Sequence, residues 1–246
     1  MNKNELKSVV LAAGKGTRLQ TEGNTLPKVM RLGAGKPLLA HVLSALDFIP
    51  AHDCVIVVGY QKENVINAFP GYAFAEQKEQ LGTGHAVMAA YERLEGYNGS
   101  LLVCCGDMPL IKRETYLALM DAHNSSDNAC TILSGTSDLD LPYGRILRDE
   151  NGAFCGMVED KDATDEQKKI KELNSGVYVF DAALLRGVLS ELKSDNAQGE
   201  YYLTDAPVLL KKHGHKIGVC YRDLGYEIIG VNTPEQLKQT EELLQK

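Results

Sequence analysis

Short apolar runs and longer amphipathic segments alternate along the first half of the chain. The apolar runs lie at Val9 to Ala12, Cys54 to Val58, Tyr72 to Ala75, Leu101 to Cys105 and Ala129 to Leu133. The amphipathic segments between them cover about Leu38 to Leu46, Lys62 to Ala68, Thr83 to Leu94 and Lys112 to His123. Parallel strands buried on both faces form continuous apolar runs, and the helices that connect them carry one apolar face. The pattern predicts an α/β fold with a doubly wound, mostly parallel sheet.

After Ser134 the pattern changes, and a smaller unit is expected. Its predicted elements are two β runs, a solvated helix and a further β run, at Arg145 to Leu147, Phe154 to Val158, Asp160 to Glu172 and Val177 to Phe180. The first two runs flank Asn151-Gly152, which favours a hairpin. We therefore expect residues 136–175 to form a small α+β lobe inserted over the sheet.

The last predicted element is a C-terminal helix over residues 233–246. Thr233 is a suitable N-cap, Pro234 fits the first helical turn, and leucines follow in a partial apolar stripe. Residues 1–232 then form the main domain, which carries the lobe.

The charge of the chain is unevenly distributed. The net charge is −7, yet residues 1–36 contain seven Lys or Arg against two Glu, which leaves −12 on the other 210 residues. An acidic protein has no overall electrostatic attraction for nucleic acid or anionic lipid, so neither nucleic acid nor a membrane is expected as a partner. An anionic ligand must instead meet the basic leading segment.

The cysteines and the apolar segments indicate the compartment. The six cysteines form no C-x-x-C pair and lie mostly inside apolar runs, which favours reduced core thiols over disulfides or a zinc site. No stretch approaches the length of a membrane span, and the first apolar run is too short for a signal peptide. A cytoplasmic protein is expected.

A glycine-rich loop follows the first predicted strand, with the sequence LAAGKGTR from Leu11 to Arg18. Small residues let backbone N–H groups approach phosphate oxygens, and Lys15 and Arg18 add positive charge. Lys28, after Pro27, can reach back toward the same loop. Taken alone, the loop also fits an ordinary strand-to-helix turn and Lys28 an ordinary surface lysine.

Two further segments carry candidate binding groups. Gly82 and Thr83 precede a small-residue helix and offer backbone donors and a hydroxyl, although a simple N-terminal cap is the alternative. Asp107 follows a buried strand, where doubly wound sheets bind ligands, and can hold Mg²⁺. Asn232 can supply a second ligand, because Mg²⁺ takes one or two protein groups and completes its shell with water and phosphate oxygens. A turn or cap role for Asp107 also stays open.

Together these segments resemble the sugar-nucleotide pyrophosphorylases, and more closely the uridyltransferase half of the bifunctional N-acetylglucosamine-1-phosphate uridyltransferase/glucosamine-1-phosphate acetyltransferase family. The resemblance covers nearly the whole chain through nine segments in order: LAAGKGTR, LPK, EQLGTGHA, GDMPL, YGRI, VEDKDATDEQ, LNSGVYVF, NAQGEYYLTD and GVN. It implies a Rossmann-like nucleotidyltransferase that makes UDP-N-acetylglucosamine and pyrophosphate from UTP and N-acetylglucosamine 1-phosphate, with Mg²⁺ as cofactor.

The resemblance also implies roles for individual residues. The catalytic cations are Lys15, Arg18 and Lys28, and the nucleotide-binding residues are Leu11, Ala12, Ala13, Gly14, Gln77, Gly82 and Thr83. The amino sugar is expected at Gly106, Gly144, Glu159 and Asn174, and the Mg²⁺ ligands are Asp107 and Asn232. Asn196 to Asp205 matches a family signature that we expect to form wall and scaffold.

Three features depart from the family. Cys105 stands where the family commonly has Tyr, and the segment from Leu19 to Pro27 is longer than usual. The chain also contains no hexapeptide repeats, on which the family's acetyltransferase half and trimer are built, so acetyl transfer is not predicted and a monomer is expected. Another sugar 1-phosphate or nucleotide remains an alternative substrate, and a nucleotide sensor without turnover remains an alternative function.

Overall fold

The structure is a computed structural model that describes residues 5–19, 25–137 and 139–245. The strands are β1 (Leu6–Ala12), β2 (Leu32–Gly33), β3 (Lys36–Pro37), β4 (Cys54–Val58), β5 (Ala73–Glu76), β6 (Ser100–Cys105), β7 (Cys130–Thr136), β8 (Arg145–Arg148), β9 (Phe154–Val158), β10 (Leu173–Asp181) and β11 (Ile217–Asp223). The helices are α1 (Leu38–Ala45), α2 (Lys62–Ala68), α3 (Thr83–Ala90), α4 (Arg113–Asn124), α5 (Asp165–Lys168), α6 (Ala182–Leu189), α7 (Asp205–Lys212) and α8 (Pro234–Leu244).

One large sheet organises the described residues. Its strands follow the order β11-β7-β10-β6-β1-β4-β5, and the hairpin β8–β9 joins it through β10. Strand β1 runs parallel to β4 and β6, β4 to β5, and β7 to β11. Strand β10 is antiparallel to both of its neighbours, β6 and β7. The mostly parallel α/β sheet predicted from the sequence is confirmed.

Helices cover the sheet on both faces, because successive side chains of a strand point to opposite sides. Val9 and Val55 pack in one layer with α3, α6 and α7, whereas Val10 and Ile56 pack in the other with α1, α2 and α4. All four valine and isoleucine side chains are buried. This two-layer arrangement leaves the carboxyl ends of β1 and β6 next to each other and open to ligands.

The prediction of a solvated helix over Asp160 to Glu172 is wrong in the length of the helix. Only the single turn α5 forms, closed by a capping box between Thr164 and Gln167. The segment has too few apolar residues to give a helix a face to bury, and a helix without a packed face is marginal in water. The predicted hairpin does form as β8 and β9. The division into a main domain and a lobe over residues 136–175 stays a prediction.

The C-terminal helix α8 begins after Thr233, whose hydroxyl accepts the Gln236 N–H. The longer connection expected between Leu19 and Pro27 includes residues 20–24, which lie outside the described residues. All six cysteines are free thiols. No helix in the described part of the chain is long and apolar enough to cross a bilayer.

Candidate active site

The loop after β1 lies against Lys28 because residue 16 is glycine. Gly16 has φ +62°, and a Cβ at this position would lie 2.5 Å from the Lys28 Cβ. Lys28 follows Pro27 and begins a single 3₁₀ turn, Lys28–Met30. The glycine therefore allows the basic loop and the Lys28 side chain to share one edge of the sheet.

Lys28, Asp107 and Asn232 meet at this edge. The Lys28 ammonium donates to Asp107 Oδ2 and, at 2.9 Å, to Asn232 Oδ1. Asn232 Nδ2 donates to the Gly230 carbonyl oxygen at 3.2 Å, which turns the amide oxygen toward Lys28. Val231 N–H donates to the Asp107 carbonyl oxygen at 2.9 Å and joins the two chain segments. The sequence predicted Asp107 and Asn232 as partners, and the structure brings both to one cation.

The ion pair between Lys28 and Asp107 is shielded from water. The two side chains are 17% and 15% exposed. Coulombic attraction in such a site is screened less than on an open surface. The arrangement fixes one carboxylate oxygen and one amide oxygen around a positive charge.

Two cavities adjoin this cluster. The glycine-loop cavity, about 300 Å³, is walled by Leu11, Ala12, Ala13, Gly14, Lys28, Gln77, Gln80, Gly82, Thr83 and Glu200 among others. The lobe cavity, about 210 Å³, is walled by Tyr143, Gly144, Glu159, Asn174, Thr204, Gly230 and Asn232 among others. Both cavities include Leu11, Thr83, Cys105 and Asp107 in their walls. A ligand that filled both would pass directly over Asp107.

The glycine-loop cavity is shaped by the turn from β5 to α3. Thr83 Oγ1 accepts the Leu203 N–H at 3.0 Å, and Gly84 N–H donates to the Tyr201 carbonyl oxygen at 2.7 Å. Gly82 has φ +104°, and its Cβ would lie 2.6 Å from the same Tyr201 oxygen. The segment expected to form wall and scaffold thus packs against the predicted nucleotide-binding turn.

Gly82→Ala should destabilise the fold more than Gly71→Ala. The two glycines have nearly equal φ values, +104° and +100°, but no heavy atom lies within 4 Å of a Cβ built on Gly71. Backbone strain should cost each variant about 1–3 kcal/mol, and the clash with Tyr201 should cost Gly82→Ala a further ~1–3 kcal/mol. Urea unfolding of both variants measures the difference. Equal losses would contradict the close approach at Gly82.

The lobe cavity is walled by three of the four predicted sugar-binding residues, Gly144, Glu159 and Asn174. Asn174 N–H donates to the Gly144 carbonyl oxygen at 2.8 Å, and Asn174 Nδ2 donates to the Tyr178 hydroxyl at 2.7 Å. Glu159 Oε1 accepts the Thr204 hydroxyl at 2.9 Å. Gly144 leaves room beside this carboxylate, since its Cβ would lie 3.4 Å from Glu159 Oε2.

Burial raises the pKa of the Glu159 carboxyl, the Thr204 hydrogen bond partly opposes that rise, and the charges of Asp205, Asp162 and Asp160 add to it. The folded protein therefore holds this proton more tightly than the unfolded chain does. The stability contributed by protonated Glu159 is present at low pH and is lost as pH rises through the raised pKa.

Glu159→Gln should remove this pH dependence. The glutamine keeps an acceptor for Thr204 but carries no charge, so the variant should gain stability relative to the wild type as pH rises above the ordinary carboxyl value of 4.5. Urea midpoints of both proteins from about pH 4 to about pH 8 provide the measurement, because this range begins near the ordinary carboxyl pKa and extends well above it. Parallel midpoint curves would show that the burial of Glu159 has no energetic effect.

Three predicted residues stand apart from the cluster. Lys15 and Arg18 are exposed on the glycine loop. Gly106 is not among the residues that wall the two cavities; its N–H donates to the Leu11 carbonyl oxygen at 2.9 Å, and a Cβ there would contact Leu39. The roles of all three stay predictions.

Tyr143 was missed as a site residue. Its hydroxyl accepts the Gly230 N–H at 2.7 Å and holds the segment that carries Asn232. Burial raises the pKa of this phenol, so the hydroxyl keeps its proton. In the sequence Tyr143 is visible only as part of the YGRI motif. Its hydrogen-bond partner lies 87 residues away, so no local pattern indicates the contact.

Cys105 lies where the two cavities meet. The residue is half-buried, and desolvation of the thiol raises its pKa to about 12, so it stays protonated at neutral pH. Gly176 is close by, since a Cβ there would lie 3.6 Å from the Cys105 Sγ. The neutral thiol is a small apolar wall at the junction rather than a nucleophile.

A mostly parallel sheet with a glycine loop and a polar cluster at its carboxyl edge is typical of nucleotide-binding α/β proteins. The sequence matches the model of the MobA-like NTP transferase domain over residues 8–200, and the chain belongs to that family. The solved structure of the inositol-1-phosphate CTP transferase from T. maritima has the same fold, with a TM-score of 0.72 over 98% of this chain and 95% of that one at 18% identity.

Curated relatives are closer in sequence. The bifunctional protein GlmU of Lactococcus lactis subsp. lactis is 44% identical over 240 residues, which cover 97% of this chain and 52% of that protein. GlmU of Caldanaerobacter subterraneus subsp. tengcongensis is 44% identical over 243 residues, 98% of this chain and 52% of that protein. The chain thus spans about half the length of these relatives. The resemblance to a bifunctional family with a nucleotidyltransferase half is confirmed.

Proposed function

We propose that the chain is a cytoplasmic uridylyltransferase that forms UDP-N-acetylglucosamine and pyrophosphate from UTP and N-acetylglucosamine 1-phosphate. The observation that carries the proposal is the meeting of Lys28, Asp107 and Asn232 where the glycine-loop cavity adjoins the lobe cavity. A nucleotide in one cavity and a sugar phosphate in the other bring their phosphates together at that junction. Membership of an NTP transferase family supports nucleotidyl transfer as the reaction.

The binding roles follow the two cavities. Leu11 to Gly14 would hold the triphosphate through backbone N–H groups, with Gln77, Gly82 and Thr83 at the base and ribose. Gly144, Glu159 and Asn174 would hold the amino sugar.

Mg²⁺ fits the oxygen donors at the junction. Asp107 and Asn232 bring a carboxylate oxygen and an amide oxygen to one cation, the Lys28 ammonium. Such hard oxygen donors are those that Mg²⁺ prefers, and two protein ligands leave positions for water and phosphate oxygens. Asp107 and Asn232 are therefore the residues that would hold the ion. When bound, Mg²⁺ supplies positive charge that offsets the charge of the phosphates.

The reaction needs alignment and charge compensation rather than a general base, because the attacking phosphate oxygen is already anionic at neutral pH. The two cavities hold the reactants in line, which lowers the entropic part of the barrier. Asp107 and Asn232 would hold the ion, and the Lys28 ammonium would contact the α-phosphate and the departing pyrophosphate. Lys15 and Arg18 add positive charge from the glycine loop.

Product analysis tests the proposal. The protein is incubated with Mg²⁺ and a panel of nucleoside triphosphates and sugar 1-phosphates, and pyrophosphate release is measured. UTP with N-acetylglucosamine 1-phosphate should give the highest kcat/KM. A higher value for another pair would replace the substrate assignment. Calorimetric UTP binding without pyrophosphate release from any pair would make the chain a nucleotide sensor and overturn the proposal.

A further inference from the structure

The Gln77 side chain is held in one orientation by two acceptors. The residue follows β5, its N–H donates to the Val58 carbonyl oxygen at 2.8 Å, and its side chain lies in the wall of the glycine-loop cavity. Gln77 Nε2 lies 3.0 Å from the Gly82 carbonyl oxygen and 3.2 Å from His85 Nδ1. A carbonyl oxygen can only accept, so the NH₂ group of the amide must face Gly82.

His85 accepts a hydrogen bond from the second N–H of the Gln77 amide. Because the NH₂ group faces Gly82, His85 Nδ1 meets a donor and must itself be an unprotonated acceptor, with the ring proton on Nε2. Both amide protons of Gln77 are then used inside the protein. The carbonyl oxygen Oε1 accepts no hydrogen bond from the described residues. Only 4% of Gln77 is exposed, so an amide proton left without a partner would be costly.

The His85 ring is itself fixed in place. His85 lies in the first turn of α3, which is anchored by the Gly84 N–H bond to the Tyr201 carbonyl oxygen. The ring packs beside the Tyr201 ring, with centroids 6.3 Å apart and planes 33° apart. The acceptor that orients Gln77 is therefore part of a packed helix end rather than a mobile side chain.

We infer that His85 is a positioning residue for base selection: it holds Gln77 so that the amide presents only a hydrogen-bond acceptor to the nucleobase. The inference rests on the proposed function, in which Gln77 meets the base. Uracil has a donor at N3, which matches Gln77 Oε1. Cytosine has a lone pair at N3, which the same oxygen repels. A buried polar mismatch of this kind discriminates strongly between ligands.

Replacing His85 by Phe keeps a ring beside Tyr201 and removes the acceptor. Gln77 then keeps only the Gly82 carbonyl oxygen as an acceptor, so its amide is held less firmly and can swing to offer the unpaired N–H to the base. The preference for UTP over CTP in kcat/KM should therefore fall about tenfold, the effect of one buried hydrogen bond. KM for UTP should rise while kcat at saturating UTP changes little. His85→Asn, whose amide oxygen can replace Nδ1, should restore most of the preference. His85→Leu serves as a second variant without an acceptor.

The matched control is His41→Phe, because His41 also has one ring hydrogen bond, to the Gly33 carbonyl oxygen at 2.8 Å, and lies in α1 outside both cavity walls. It should leave the UTP preference unchanged. An equal loss of kcat/KM for UTP and CTP in His85→Phe would overturn the inference. So would a UTP preference in His85→Asn that is no greater than the preference in His85→Phe. A wild type that shows no UTP preference would instead overturn the proposed function.

A nitrogen NMR spectrum of the ligand-free protein tests the same point without catalysis. His85 should show an unprotonated Nδ1 and a protonated Nε2 at neutral pH. A proton on Nδ1 would contradict the donor and acceptor assignment and overturn the inference.

Discussion

Asp107→Asn should lower kcat by about 100- to 1000-fold while the protein stays folded. Asparagine keeps the shape of the side chain and the backbone bond from Val231. It removes the negative charge that holds a cation at the cavity junction, so the Mg²⁺ concentration needed for half-maximal rate should also rise. Steady-state kinetics across a Mg²⁺ series, together with thermal unfolding, measure both effects.

Asp47→Asn is the matched control for this prediction. Asp47 is an exposed carboxylate that pairs with Arg113 at 2.7 Å, and surface pairs of this kind contribute little. Its loss should leave kcat unchanged. An Asp107→Asn protein that kept its turnover at every Mg²⁺ concentration would remove Asp107 from the proposed ion site.

Lys28→Met should separate two functions of one ammonium group. Methionine retains an unbranched side chain without a charge, so kcat should fall by about 100-fold when the phosphates lose this cation. In the absence of nucleotide, however, the affinity for Mn²⁺ should rise, because the ammonium no longer competes for the Asp107 and Asn232 oxygens. Paramagnetic resonance of free Mn²⁺ during a titration measures this affinity directly.

Lys62→Met provides the comparison, since Lys62 donates to Glu76 at 2.7 Å on the exposed surface. Neither kcat nor Mn²⁺ binding should change in that variant. If Lys28→Met bound Mn²⁺ more weakly than the wild type, the ammonium would be supporting the ion site rather than occupying it.

The central strands were predicted well from sequence because their burial is complete. Cys54 to Val58 is buried at all five positions, and the predicted and observed bounds coincide. A run buried on both faces has no competing amphipathic pattern, so its type and limits are visible in the sequence. The direction of β10 was not predictable in this way, since an apolar run has the same composition in either direction.

The secondary structure of residues 136–175 was predicted less accurately for the opposite reason. Asn151-Gly152 located the hairpin because the turn chemistry is local. The length of α5 depends on what the charged segment packs against, and Arg145 contacts Asp160 and the Lys168 carbonyl oxygen there instead of a long helix. Tertiary contacts of this kind override local helix preference.

In the candidate site, too, local features were predictable from the sequence and tertiary contacts were not. Asp107 was selected from its position after a buried strand, whereas the roles of Lys28 and Asn232 were implied by the family resemblance. The point where the three side chains meet depends on the tertiary structure. Tyr143 and His85 act on the site through Gly230 and Gln77, and such indirect contacts leave no local pattern in the sequence.

The placement of Asn232 has a consequence for biosynthesis. The walls of the glycine-loop cavity, Asp107 included, come from the first 107 residues and from Glu200, whereas the second oxygen donor, Asn232, lies just before α8. A nascent polypeptide halted short of residue 232 would thus carry nucleotide-facing walls but an incomplete ion-binding pair. If the proposed function holds, nucleotidyl transfer would need this distant segment in place, and contacts between residues far apart in the chain form slowly.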